Sequence, residues 1–389
     1  MNSSTTGFHI DAGGIPIKNP IALSAMAGIT DAGFVQTNAK GAGLVVIGAY
    51  NLDETARAAA VEVQKRGREE FIEKLSDLED DVFQTIDSGI DLIQKESPGT
   101  VVAVSVRSKN MEPLLKAAEL LKKKNSILEL DIHCRQPEFL DAGLGEALLK
   151  DTPALLEIIQ NIKKTGVVLS VKFRTSTVNP VLAAEFFDAA GADILHADAM
   201  IERKGGDSGA VTKIRNTTRK LLIANNSVDD FDSALEYFAS GADMISVARA
   251  ARDDPEFIPY LVQKIGEYQN EVGWYNTPKH ICKQGDNRGL AFCCPPVKYC
   301  RLSSKIEEIG FSPKEFTMLK QEFAYGTPLE KGEGTCFGSL VWCCKLTKPC
   351  FYRDGALEQI GLSGNEYMKL KHTLADRLVD KIEEKKIQR

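Results

Sequence analysis

The chain has 389 residues, of which 43% are hydrophobic and 26% charged. That is an ordinary balance for a folded globular protein with room for one large and one small domain. No apolar run reaches the roughly 18 residues of a membrane span, and the opening Met1-Asn-Ser-Ser-Thr-Thr lacks a signal peptide's basic and apolar segments, so a cytoplasmic, reducing location with no membrane partner is expected. The net charge of −6 is unevenly divided: from Thr277 onward 19 Lys+Arg face 14 Asp+Glu, against 29 and 40 before it. The basic C-terminal part admits nucleic acid as a partner; lysines offsetting cysteine thiolates explain the same excess.

Residues 8–20, with Gly13 and Gly14, read as a short hairpin. Apolar, β-branched runs then recur at 21–28, 43–50, 101–108, 127–134, 167–174, 192–199, 220–227 and 244–251. They are near-continuous rather than alternating, as expected for strands buried on both faces. Amphipathic helical patterns lie between them, for example at 111–123, 144–164 and 181–190. Residues 53–95 exceed what one crossover needs and read as extra helix. Eight strand–helix alternations predict a (β/α)8 TIM barrel over residues 1–272.

In such a barrel the chemistry sits where strands end. The polar residues there are 26–31, Ser105 and Arg107, 131–135, Lys172 and Arg174, His196 and Asp198, Asn225 and Asn226, and Arg249. A cationic group beside Asn-rich turns after the last two strands suits a phosphate.

Six motifs in this order resemble the dihydrouridine synthases, FMN-dependent barrels that reduce uridine in tRNA. The resemblance covers about residues 15–265. Ala25-Met26-Ala27-Gly28-Ile29-Thr30-Asp31 is similar to the family's Pro-Met-Ala-Gly-Val-Thr-Asp. Glu129-Leu130-Asp131-Ile132-His133-Cys134 is similar to Glu-Ile-Asn-x-Gly-Cys, which carries a proton-donating cysteine. Lys172 and Arg174 match Val-Lys-x-Arg, whose Lys contacts the flavin, and His196 matches a flavin-contacting His. Ala224-Asn225 matches Ala-Asn-Gly-Asp, and Ala248-Arg249 matches the Gly-Arg phosphate grip. The resemblance implies FMN held by Met26, Ala27, Ser105, Lys172, His196, Asn225, Asn226, Ala248 and Arg249, with Cys134, or His133 beside it, as proton donor. The departures are Asp131 for Asn, His133 for Gly, Arg135 for Pro, Ser105 for a flavin-touching Gln, Asp198 for Arg and Asn226 for Gly. Features facing the flavin survive better than those facing the substrate.

Residues 273–389 contain one unit written twice. Phe292-Cys293-Cys294 is followed by Cys300, and Trp342-Cys343-Cys344 by Cys350, with Cys282 and Cys336 upstream. Eight of the nine cysteines fall into two sets of four, the count for one tetrahedral metal or one iron–sulfur cluster. Neither set has a Cys-x2–4-Cys zinc knuckle, which favours clusters, with zinc and unligated thiols as alternatives. Ser312 with Glu315, and Ser363 with Glu366, read as helix capping boxes. The predicted unit is small, cysteine-rich and mainly helical, and a metal adds stability that its few large core residues lack. Its cysteine pattern resembles the domain called methanogenesis marker protein 9 of methanogenic archaea.

Together these readings predict an FMN-dependent oxidoreductase with an iron–sulfur electron-transfer domain, linked to methanogenesis. Its partners would be a small-molecule substrate or methanogenesis protein and an electron donor or acceptor protein. A tRNA dihydrouridine synthase is one alternative, although the acidic barrel disfavours tRNA. A non-enzymatic assembly or electron-carrier protein is another.

Overall fold

The computed structural model describes residues 10–67, 72, 81–201, 205–218 and 220–272, and the isolated positions 363, 366, 380 and 384. The chain divides into two compact units, His9–Gln263 and a second made of Met1–Phe8 with Lys264–Arg389.

The larger unit is a closed parallel barrel. A hairpin of β1 (Ile10–Ala12) and β2 (Ile15–Ile17) precedes it. The staves are β3 (Ile21–Leu23), β4 (Leu44–Asn51), β5 (Val101–Arg107), β6 (Ile127–Asp131), β7 (Val168–Arg174), β8 (Ile194–Asp198), β11 (Leu221–Asn225) and β12 (Met244–Val247), with β12 pairing back onto β3. Between β8 and β11 a small hairpin intervenes, β9 (Met200–Ile201) with β10 (Gly205–Gly206), which sequence patterning does not anticipate. All eight expected strands are present. The runs beginning at Ile21, Ile127 and Met244 leave the sheet earlier than their apolar length predicts, because their last residues turn out to build the mouth.

The first hairpin closes one end of the barrel. Ile10, Ala12, Ile15 and Ile17 pack into one cluster with the opening residues of the staves, Leu44, Ile127, Ile194 and Leu221 among them. Each such isoleucine, fully buried, contributes roughly 1.5–3 kcal/mol. The turn requires positive φ at both central residues, met by Gly13 at 65° and Gly14 at 94°.

Helices start on aspartate or asparagine caps. Asp31, Asp53, Asp151, Asn179, Asp207 and Asp230 each accept a hydrogen bond from an amide of the first turn. Helix Met111–Lys123 falls where its periodicity predicts. The 144–164 pattern is split into a 3-10 turn (Gly145–Lys150) and a helix (Thr152–Lys164), because Asp151 caps the second segment. The extra segment after β4 contains helices Glu54–Lys65 and Val82–Glu96.

In the second unit Ser363 and Glu366 are described. The Ser363 amide donates to Glu366 Oε2 at 2.9 Å and the Glu366 amide to Ser363 Oγ at 3.3 Å, the reciprocal bonds of a capping box. Ser312, Glu315 and all the repeat cysteines lie outside the described residues.

Candidate active site at the barrel mouth

A cavity of about 250 Å³ opens at the C-terminal ends of the staves, where barrels of this type carry their chemistry. Its floor is polar although the barrel wall around it is apolar. Lys172 is 1% exposed, and its ammonium donates to Ser24 Oγ at 2.8 Å. That hydrogen bond uses one of three N–H donors; no carboxylate lies within ion-pairing distance among the described residues.

Beside it runs a second chain of polar groups. Glu129 Oε2 lies 2.6 Å from His196 Nδ1, and His196 Nε2 lies 2.7 Å from Ser246 Oγ. Ser170 Oγ also donates to Glu129 Oε2, at 3.2 Å. Burial would raise the Glu129 carboxyl, but His196 and Lys172 hold it below its ordinary range. Burial pushes His196 down against the pull of Glu129. The result is an ionised Glu129 facing a neutral imidazole.

One wall is built by the loop after β6. Asp131 is fully buried; burial opposes its charge, but Arg107 and His133 hold the carboxyl well below the usual range. Arg107 Nε donates to Asp131 Oδ2 at 2.7 Å while its guanidinium stacks 4.5 Å from the Phe139 ring centre. Asp131 Oδ1 takes the His133 amide at 3.1 Å and His133 Nδ1 at 2.6 Å. A carboxylate that fixes Nδ1–H leaves Nε2 to exchange protons with the cavity. Cys134 also lines the cavity, and its side chain packs with Ala56, Ala59, Ala60, Val63, Phe139 and Leu144. Its loop is held by Gly145, at φ 60°, where a Cβ would collide with the Cys134 carbonyl.

Arg174 spans the opposite side, pairing with Glu146 at 2.9 Å and with Asp198 at 3.1 Å. Asp131 and Asp198, read from sequence as negative charge facing the substrate, are therefore each matched by an arginine. Five cationic side chains line the mouth, Arg107, Arg135, Lys172, Arg174 and Arg249, against three carboxylates, Asp131, Asp198 and Asp229. The local field is not acidic, whatever the charge of the whole unit.

The rim beyond β11 and β12 has the features of an anion cradle. Asn226 and Ser227 hold φ of 88° and 53°. Asparagine is among the few non-glycine residues that tolerate this region, so Asn226 holds this turn without a glycine. Tyr237 Oη donates to the Asn226 carbonyl at 2.9 Å, Asn226 Nδ2 donates to Asp198 Oδ1 at 2.9 Å, and Asn225 Nδ2 donates to the Ser246 carbonyl at 3.0 Å. Arg249 is exposed on the same rim.

Of the residues singled out from sequence, Met26, Ala27, His133, Cys134, Lys172, Asn225, Asn226, Ala248 and Arg249 line this one cavity. Ser105 and His196 do not. Ser105 is buried, with no hydrogen-bond partner for Oγ among the described residues, and Ser246 stands between His196 and the cavity. Ser24, Ser246 and Glu129 escaped sequence reasoning as functional groups. Their signal was a polar residue in or directly after a stave that is otherwise mostly apolar. Cys282, Cys293, Cys294, Cys300, Cys336, Cys343, Cys344 and Cys350 lie outside the described residues. Among the described residues no cluster of three metal-ligating side chains occurs, and no helix is long and apolar enough to cross a membrane.

Comparison with known proteins gives relatives at two levels of similarity. The uncharacterized protein MJ0115 of Methanocaldococcus jannaschii is 55% identical over 108 residues, 28% of this chain and 70% of that protein. The uncharacterized protein MJ0144 of the same organism is 30% identical over 242 residues, 60% of this chain and 89% of that protein. More distantly, the catalytic subunit of dihydroorotate dehydrogenase B (NAD(+)) of Carboxydothermus hydrogenoformans is 24% identical over 196 residues, 44% of this chain and 63% of that subunit. Among solved structures, a dihydroorotate dehydrogenase of Eimeria tenella in complex with ferulenol superposes with a TM-score of 0.52 at 12% identity, covering 69% of this chain and 86% of that one. The superposition bears out the eight-stranded barrel. No protein-family model matches the chain.

Proposed function

The chain belongs to one family with the two Methanocaldococcus proteins, and from that footing we propose that it is an FMN-dependent oxidoreductase whose cysteine repeats hold iron–sulfur clusters. The observation that carries the flavin is Lys172, a buried ammonium with donors to spare on the floor of a cavity rimmed by Asn226, Ser227 and Arg249. Burying such a charge is costly unless an acceptor meets it. A flavin ring supplies acceptors on its pyrimidine edge, and its ribityl phosphate suits the cationic rim. The distant relation to dihydroorotate dehydrogenases supports the same class.

When bound, FMN supplies hydride chemistry. The chain's own residues then have separable tasks. Lys172 holds the ring edge, and Arg249 with the turn after β11 holds the phosphate. His133 Nε2, oriented through Nδ1 by Asp131, gives or takes the proton that accompanies hydride transfer; Cys134 stands next to it on the same wall. Arg135, exposed on the cavity edge, meets an anionic group on the substrate. The thiolates of the repeats would hold the clusters, which would supply one-electron transfer between a partner protein and the barrel. The substrate is a small anionic molecule or a protein of methanogenesis, the latter supported by the resemblance of the cysteine repeats.

The decisive experiment is an ultraviolet–visible spectrum, with iron, sulfide and flavin analysis, of anaerobically purified full-length protein. Flavin bands together with cluster absorbance support the reading. A folded protein that contains no flavin and takes up no added FMN overturns it. A tRNA dihydrouridine synthase remains the second reading, favoured by the arginine pairing of Asp131 and Asp198, which removes the local repulsion of a phosphate backbone.

A further inference from the structure

We propose that Ser246, rather than His196, is the side chain that contacts the ring at the cavity floor, and that it does so as a hydrogen-bond acceptor for a ring N–H. The inference rests on the FMN reading and adds the direction of one hydrogen bond.

The direction follows from counting protons along the buried chain. Glu129 Oε2 receives Ser170 Oγ at 3.2 Å and lies 2.6 Å from His196 Nδ1. An ionised carboxylate only accepts, so the proton of that short contact sits on Nδ1. A neutral imidazole protonated there presents a lone pair at Nε2. Ser246 Oγ, 2.7 Å away, must therefore spend its single O–H on His196. What it retains is lone pairs, and Ser246 lines the cavity. Burial favours the neutral His196, and although it opposes the Glu129 charge, the contact with His196 and the Lys172 charge outweigh it and favour the ionised carboxylate.

The neighbouring floor has the opposite polarity. Lys172, anchored on Ser24, brings N–H donors. Ser24 directly follows β3 and Ser246 lies on the adjacent β12, with the Ser24 amide donating to the Val247 carbonyl at 2.8 Å. A fixed donor beside a fixed acceptor is complementary to a cyclic imide, in which a carbonyl adjoins an N–H. The pyrimidine edge of a flavin has that pattern at its C2 carbonyl and N3–H. His196 and Glu129 are then positioning residues: they never touch the ring, but they stop the serine hydroxyl from turning round to donate.

The test compares binding of FMN and of 3-methyl-FMN, which lacks the N3–H, to flavin-depleted full-length protein, followed by quenching of flavin fluorescence. Wild type is expected to prefer FMN by about tenfold, the worth of one buried hydrogen bond. Ser246→Ala should bind FMN about tenfold more weakly and lose the preference. His196→Gln should reduce the preference although Ser246 is intact, a change that a merely structural role for His196 would not produce. The wild-type comparison needs no variant to fold. If wild type binds both flavins equally, or Ser246→Ala keeps the preference, Ser246 is not the acceptor and the FMN reading survives. If wild type binds neither flavin, the FMN reading fails and takes this inference with it.

Discussion

Two adjacent side chains, His133 and Cys134, compete for one role. Resemblance points to the cysteine as proton donor, whereas the geometry gives the histidine a buried carboxylate partner and a second nitrogen with no hydrogen bond among the described residues. Cys134 meets the cavity from within an apolar cluster. His133→Asn is therefore expected to lower turnover by about 10²-fold or more while retaining flavin. Cys134→Ala should cost less than about tenfold. Steady-state rates beside flavin content measure both, and the reverse order would return the role to Cys134. Arg249→Ala is expected to weaken FMN binding by about tenfold or more, because it removes a charge-assisted contact; unchanged affinity in a fluorescence titration would move the phosphate elsewhere.

The elements were legible where periodicity alone decides them. Met111–Lys123 shows this: Leu114, Ala117, Ala118 and Leu121 recur at helical spacing and are the buried face. The staves were legible because both faces are buried, so their apolar runs are unbroken. What could not be read was how elements are tied to one another. Asp53 is the clearest case. From the start of helix Glu54–Lys65 it caps the Ala56 amide at 2.9 Å with one oxygen. With the other it takes Ser108 Oγ at 2.9 Å and the amides of Lys109 and Asn110 at 2.8 Å each. It thus pins the loop after β5 to the helix after β4, through contacts more than 50 positions apart that no local pattern reports. Asp53→Ala loses a cap and strands several buried donors, a change of roughly 2–4 kcal/mol. For a unit of this size that lowers Tm by about 4–12 °C. Calorimetry giving a shift under about 2 °C would mean the loop re-pairs without it.

At the scale of the molecule, the buried charges that make the site also set how the barrel responds to acid. His196 is held below its ordinary 6.5, and Glu129 and Asp131 below 4.5 and 3.8. In each case the unfolded chain binds more protons than the folded one, so stability falls as pH falls. The decline begins near pH 6.5 with His196, before either carboxylate titrates, and steepens below about pH 4.5, where the carboxylates of the unfolded chain take up protons that the folded Glu129 and Asp131 still refuse. His196→Gln should flatten denaturant midpoints between pH 6.5 and 5 while leaving the steeper acid limb; an unchanged slope there would assign the decline to other groups. The barrel and its mouth were readable from sequence because fold and strand-end polarity are local signals. The neutralised field of the mouth was not, since Arg107 meets Asp131 and Arg174 meets Asp198 only across neighbouring staves. The cysteine repeats pose the opposite case, a strong sequence signal awaiting its chemistry. Two matched sets of four imply two sites, Cys282, Cys293, Cys294 and Cys300 forming one, and Cys336, Cys343, Cys344 and Cys350 the other. Iron and acid-labile sulfide are expected in both, with zinc well below one per chain. Cys293→Ser with Cys300→Ser should halve the iron and leave the other set loaded, because each repeat carries its own complete ligand count. Loss of all iron from that variant would mean one shared site, and stoichiometric zinc without sulfide would make both sites structural, leaving the flavin without an electron route through this part of the chain.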